Sequence, residues 1–166
     1  MAGYGSDGEF STWLASRGYV LPTTVPLPAV LRQIGSDYID AAYEPRLGCS
    51  RRLLITQERA WPRAGHTVNG EALPDTLIPQ SWIDASYRAA WLEASQPGWT
   101  ASGVDPSRAT KREKADVVER EFFAPGASGT PGAANAAPGF PVDPQIDGAV
   151  AVWLCRADRF IGFVVV

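Results

Sequence analysis

Ile78–Ala94, IPQSWIDASYRAAWLEA, decides the fold. Ile78, Trp82, Ile83, Ala85, Ala89, Ala90 and Leu92 recur mostly at three- and four-residue spacing, the signature of a helix with a buried stripe. Pro79 suits the first turn, where its missing amide would be unpaired anyway. Pro97-Gly98 ends the segment. Trp82 and Trp91 lie nine positions apart, half a turn out of phase at 3.6 residues per turn. The helix therefore buries aromatic surface on two sides. It belongs at the centre of a small helical domain, or between that domain and a neighbouring subunit.

On either side of this helix the chain reads as mainly α. Ser6-Asp7-Gly8-Glu9 forms a capping box ahead of a short helix, Asp7 to Arg17, with Phe10, Trp13 and Leu14 inward and Gly18 as its stop. A proline-broken connector, Tyr19 to Leu27, leads to a second helix opened by Pro28. Val30, Leu31, Ile34, Tyr38, Ile39 and Ala42 line its inner side. Gly35 either permits close helix packing or weakens the helix by up to about 1 kcal/mol. Arg46, Arg51, Arg52 and Arg59 then read as a solvated basic turn, with a surface for an acidic partner or a nucleic-acid backbone as the alternative. Trp61 before Pro62 must be extended or turn-like and anchors its loop on the core. Asn69-Gly70 marks a turn tip.

Beyond the central helix, residues 108–123 interleave charged and apolar positions. They read as a short β-hairpin turning near Ala115-Asp116, with a helix as the rival. Residues 124–142 are Gly/Pro/Ala-rich and form an expected flexible loop. Pro144 to Cys155 resumes a helical pattern, with Asp143 as its cap. The chain closes on an apolar run that either pairs within its own fold or, preferably, docks as a strand on a partner. The expected architecture is thus a helical core over residues 1–123, a loop over 124–142, and a C-terminal helix with an extended tail over 143–166.

Composition narrows the function. The net charge of -3, with 20% charged residues, gives no strong field for a polyanion. The start lacks the basic and apolar regions of a signal peptide, and no apolar run is long enough to span a membrane. Cys49 and Cys155, the two cysteines, read as separate buried thiols rather than a bridge. His66, the single histidine, has no Cys, Asp or Glu at ligand spacing, so neither metal nor catalytic work is expected of it. Phosphate-binding, zinc-protease and nucleophile-elbow motifs do not occur. The expectation is a protein without catalysis or cofactor.

Several segments together resemble a known family. Phe10, Trp13, Leu14 and Arg17-Gly18 are similar to its opening helix, and Gly35-Ser36-Asp37-Tyr38-Ile39-Asp40 to its A-[ST]-x-Y-[IL]-D segment. Gln57-Glu58-Arg59-Ala60-Trp61-Pro62-Arg63 resembles its Q-x-x-x-W-P-R signature. Ile78-Pro79 with Ala85 and Ala90 resembles its next helix. Lys111-Arg112-Glu113-Lys114 with Val118, Glu119 and Phe122 resembles the K-R-E-K stretch that follows. The match runs in order over residues 4 to 123. The family is that of the head–tail connector (adaptor) proteins of long-tailed phages and gene transfer agents, many of whose members are described as DnaT-like and single-stranded-DNA-binding.

The resemblance implies a non-enzymatic virion protein, assembled in the bacterial host cytoplasm. It would form a homo-oligomeric ring, typically twelve-fold, under the portal protein. It would extend the DNA channel toward the next neck component, a stopper or tail terminator, with passing, non-specific contact to DNA. The C-terminal part commonly contacts the portal. That agrees with a docking role for Arg159, Phe160, Ile161, Phe163, Val164, Val165 and Val166. Trp61, Pro62, Arg63, Trp82 and Trp91 are then subunit contacts or core anchors. Lys111, Arg112, Glu113, Lys114 and Glu119 are charges for the lumen or the subunit boundary. The competing expectation is a single-stranded-DNA-binding module using Arg51, Arg52, Lys111, Arg112 and Lys114, with Trp61 and Trp99 as stacking platforms.

Overall fold

A computed structural model describes residues 3–101, 110–114, 119–122 and 140–155, the two middle segments through their backbone. Four α-helices carry the fold: α1 (Asp7–Ser16), α2 (Pro28–Tyr43), α3 (Gln80–Ser95) and α4 (Pro144–Val150). Three small antiparallel pairs accompany them: β1 (Arg51–Arg52) with β2 (Arg63–Ala64), β3 (Thr67–Val68) with β4 (Glu71–Ala72), and β5 (Thr110–Lys114) with β6 (Glu119–Phe122). The mainly α class with a short hairpin is therefore as the sequence reads. The pairs β1–β2 and β3–β4 are additions to it.

The local signals act as written. Ser6 Oγ accepts from Glu9 N at 3.2 Å while Glu9 returns its carboxylate to Ser6 N at 2.7 Å. Asp143 caps α4 through the amides of Gln145 and Ile146. Asn69 and Gly70 both take positive φ, 53° and 86°, as the two central residues between β3 and β4. Pro79 sits one place earlier than expected, as the N-cap of α3. The C-terminal helix is shorter than its pattern predicts. It ends at Val150 and tightens into a 3-10 turn over Ala151–Trp153, which brings the Cys155 amide to the Arg46 carbonyl at 3.1 Å.

α3 is the shared wall of two apolar clusters. One gathers Tyr38, Ile39, Tyr43, Trp61, Trp82, Ala89, Ile146 and Val150. The other gathers Phe10, Trp13, Leu14, Leu31, Tyr87, Ala90 and Ala94. Ile83 and Trp91 pack against both. The half-turn offset of the two tryptophans thus places Trp82 wholly inside one cluster, while Trp91 stacks on Tyr19 with centroids 4.3 Å apart. The helix lies at the centre of the helical fold, the first of the two placements its sequence allowed. Gly35 answers its own ambiguity in favour of close packing, since α2 meets α3 there.

The C-terminal segment is stitched into this core. Ile146 and Val150 are fully buried, the Tyr38 hydroxyl donates to the Pro141 carbonyl, and the Tyr43 hydroxyl donates to Asp147. Arg88 pairs with Asp143 at 3.1 Å, and Trp153 Nε1 donates to Ser81 Oγ at 2.6 Å. The Cys49 and Cys155 sulfurs are bonded to each other. This corrects the reading of two separate thiols. Residues 106 apart in sequence meet because α4 returns the chain to the turn after α2, a tertiary fact that spacing does not encode.

Candidate functional site

The densest polar constellation lies under the Trp61-Pro62-Arg63 segment. Asp37, Asp40 and Glu44 follow one another along one side of α2 and its continuation, spaced three and four apart. Asp40 is their hub. Its carboxylate accepts from the Tyr4 hydroxyl at 2.7 Å, the Ala60 amide at 3.2 Å and Trp82 Nε1 at 3.4 Å, and it pairs with Arg59 at 3.5 Å. The Tyr4 oxygen in turn accepts from the Trp61 amide at 3.2 Å. Burial raises the Asp40 pKa above the usual carboxylate range, against the pull of these donors. Tyr4 is pushed far above an ordinary phenol by burial and by the Asp40 charge, so its hydroxyl stays a donor.

The arginines complete the constellation. Arg59 reaches Asp37 at 2.7 Å. Arg52 grips both Glu44 oxygens at 2.6 Å each, a fork geometry. That hydrogen bonding holds the Glu44 carboxyl below its usual range. Arg63 is 5% exposed and donates to the carbonyls of Leu47, Ser50 and Ala60 and to Ser50 Oγ. The expected solvated basic turn is therefore corrected. Arg52 and Arg59 face internal carboxylates, Arg63 is a buried rivet, and Arg46 and Arg51 remain exposed. The acidic spacing on α2 is the sequence signal that could have found this.

Trp61 is 1% exposed, with edge contacts to Trp82, Trp153 and His66 at centroid distances of 5.9, 6.1 and 4.9 Å. Its peptide bond to Pro62 is cis. Trp61, Arg63 and Trp82 are thus core anchors, and Trp91 is a partly buried one. His66 is buried, with Nδ1 2.8 Å from Ser50 Oγ, and burial together with the Arg63 charge lowers its pKa. Among the described residues no group of His, Cys, Asp and Glu is placed to hold a metal ion. No described helix is long and apolar enough to cross a membrane.

The remaining predicted residues belong to the hairpin and the tail. The β5–β6 register puts Arg112 opposite Glu121, Glu113 opposite Arg120 and Lys114 opposite Glu119. Residues of opposite formal charge thus hold partner positions in the register, and Lys111 lies on the same strand. The expected turn at Ala115-Asp116, most of the Gly/Pro/Ala loop, and the tail residues Arg159 to Val166 lie outside the described residues.

A family model, "Putative DnaT-like ssDNA binding protein", matches residues 3–160, nearly the whole chain. The chain belongs to this DnaT-like family. No curated protein and no solved structure matches it. Within a DnaT-like chain, the folded region holds every segment that carried the resemblance up to Asp40 and from Gln57 to Arg63. Asp40 and the Gln57–Arg63 segment meet in the constellation above, and in this chain Trp61-Pro62-Arg63 ties the 44–64 loop to α2 and α3.

Proposed function

We propose that this DnaT-like chain is a structural subunit of the phage or gene-transfer-agent neck, a head–tail connector that forms a ring, twelve-fold in expectation, beneath the portal. The observation that carries the reading is the internal use of Arg52 and Trp61, two of the residues a strand-binding surface would use, together with Arg59 and Arg63, while Arg51 stays exposed. Arg52, Arg59 and Arg63 are engaged by Glu44, Asp37, Asp40 and backbone carbonyls, and Trp61 is buried. A single-strand module works through exposed aromatic platforms in a basic groove. A scaffold works by holding its loops rigid.

One such loop supports the same reading. Leu54 and Ile55 are 61% and 100% exposed. Yet their loop is tied by Gln57, whose side chain accepts from Leu54 N at 3.0 Å and donates to the carbonyls of Arg59 and Pro62. An ordered loop presenting two large aliphatic side chains suits burial against a neighbouring copy. In this reading Arg159 to Val166 docks on the portal, and the β5–β6 charges Lys111, Arg112, Glu113, Lys114 and Glu119 face the channel or the subunit boundary. The next neck protein, a stopper or tail terminator, stacks below, and the ring works in the virion. The role needs no cofactor and no catalysis.

Electron microscopy of the chain mixed with its portal tests this by stoichiometry. A closed ring on the portal is expected, lost when Arg159 to Val166 is deleted while the remaining domain stays folded. A monomer that ignores the portal sinks the reading. The family's description favours the second reading, a single-stranded-DNA-binding module. Filter binding across salt decides it: retention of a single strand at low salt, falling steeply as salt rises, supports that module, and no retention removes it.

A further inference from the structure

Beside the Cys49–Cys155 bond the surface opens into a hollow of about 450 Å³. Cys49 lines it and is exposed; Cys155 is half-buried and lies outside the lining. Two exposed charges of opposite sign flank it, Arg51 on β1 and Asp75, whose Oδ1 accepts from the Gly65 amide at 3.2 Å. The Cys49 amide donates to Cys155 Sγ at 3.0 Å.

Cys49 Sγ lies 4.0 Å from His66 Nδ1, a longer contact than the amide bond on Cys155 Sγ, so the stronger donor sits on Cys155. Cys49 is the cysteine that lines the hollow, so an incoming thiolate approaches from its side. The sulfur that must leave is the one that already accepts an amide hydrogen bond, which stabilises negative charge on it. Thiol–disulfide exchange is faster when the leaving thiolate is the more stable one. Access and leaving-group stabilisation therefore select the same reaction: attack at Cys49, departure of Cys155.

We propose that Cys49 is an exchange site for a low-molecular-weight zwitterionic thiol of the glutathione type. Arg51 faces a carboxylate of such a thiol and Asp75 its ammonium. The thiol first gives up its proton. Its sulfur bonds to Cys49 Sγ as the Cys49–Cys155 bond breaks, the electron pair leaves on Cys155 Sγ, and that thiolate takes up a proton. One disulfide is exchanged for another, so no external oxidant or reductant is consumed. The exchange removes the covalent tie between Cys155 and the turn after α2, leaving the hydrogen bond from the Cys155 amide to the Arg46 carbonyl. α4 stays seated through Ile146 and Val150.

The test uses the full, folded chain. It is incubated with glutathione, quenched with N-ethylmaleimide and mapped by peptide mass spectrometry. Glutathione on Cys49 with alkylated Cys155 is expected. An adduct on Cys155, equal amounts on both, or no adduct until denaturant is added overturns the proposal. A second arm compares glutathione with uncharged 2-mercaptoethanol on Arg51→Gln, whose fold is checked by circular dichroism. The glutathione-to-mercaptoethanol rate ratio should fall about threefold, the scale of one exposed ion pair. An unchanged ratio overturns the recognition by charge.

Discussion

Gly35 of α2 faces the Ser86 carbonyl of α3 so closely that a Cβ at position 35 would lie 2.2 Å from that oxygen, and 2.8 Å from the Ala90 amide nitrogen. Both obstacles are backbone, so no rotamer change relieves them. Gly35→Ala gains up to about 1 kcal/mol of helix propensity but must push the two central helices apart. Overpacking of this kind costs about 1–3 kcal/mol, and here it acts on the α2–α3 contact between the two apolar clusters. The variant should melt several degrees below the parent by circular dichroism. An equal or higher melting temperature would show that the helices yield freely.

Asp40 offers a sharper case, because four donors converge on one buried carboxylate. Asp40→Ala leaves the Tyr4 hydroxyl, the Ala60 amide and Arg59 without this acceptor, and should cost about 3–5 kcal/mol. Tyr4→Phe removes one donor and one acceptor and should cost about 1 kcal/mol. Guanidinium titrations followed by tryptophan fluorescence check both, since Trp61 and Trp82 border the site. Similar losses for the two variants would mean that Asp40 is not the hub.

How far the sequence carried can be judged at these same residues. The capping box at Ser6, the Asn69-Gly70 turn, the Asp143 cap and the two-sided α3 were all legible, because each is written in a window of a few residues or in one helical period. The Cys49–Cys155 bond was not, since it depends on where α4 returns. The basic segment was misread for a related reason. Arg52 and Arg59 look like surface residues until Asp37, Asp40 and Glu44 are seen as one stripe along α2 and its continuation facing them. The constellation under the W-P-R signature was therefore half visible: its residues were singled out, but whether they served an interface or the core needed the packing.

Losing the disulfide should be costly, because it closes a segment of 106 residues. The loop-entropy relation gives roughly 4–5 kcal/mol for a closure of this size, and measured losses run about 2–5 kcal/mol. A Cys49→Ser/Cys155→Ser double variant should lose stability on this scale and become indifferent to dithiothreitol. The parent should lose about the same amount when dithiothreitol is added. Guanidinium titrations with and without reductant check this, and a parent insensitive to reductant contradicts it.

His66 sets a pH dependence whose sign can be worked out. Burial and the nearby Arg63 charge lower its pKa in the folded chain below the ordinary 6.5. Ser50, Cys49 and Trp61 lie against the ring and bring no negative charge, and the backbone of Trp153 offsets the lowering only in part. Between the folded value and 6.5 the unfolded chain binds the extra proton and the folded chain does not. Stability from this residue is therefore fully present above about pH 6.5 and is lost as pH falls below it, down to the folded value. Asp40 has the opposite sense, its raised pKa favouring the folded chain as pH falls, so the parent profile mixes the two. His66→Gln isolates the histidine. The stability difference between parent and variant should shrink as pH drops below about 6.5, and a difference that stays constant as pH is lowered through that point refutes the assignment.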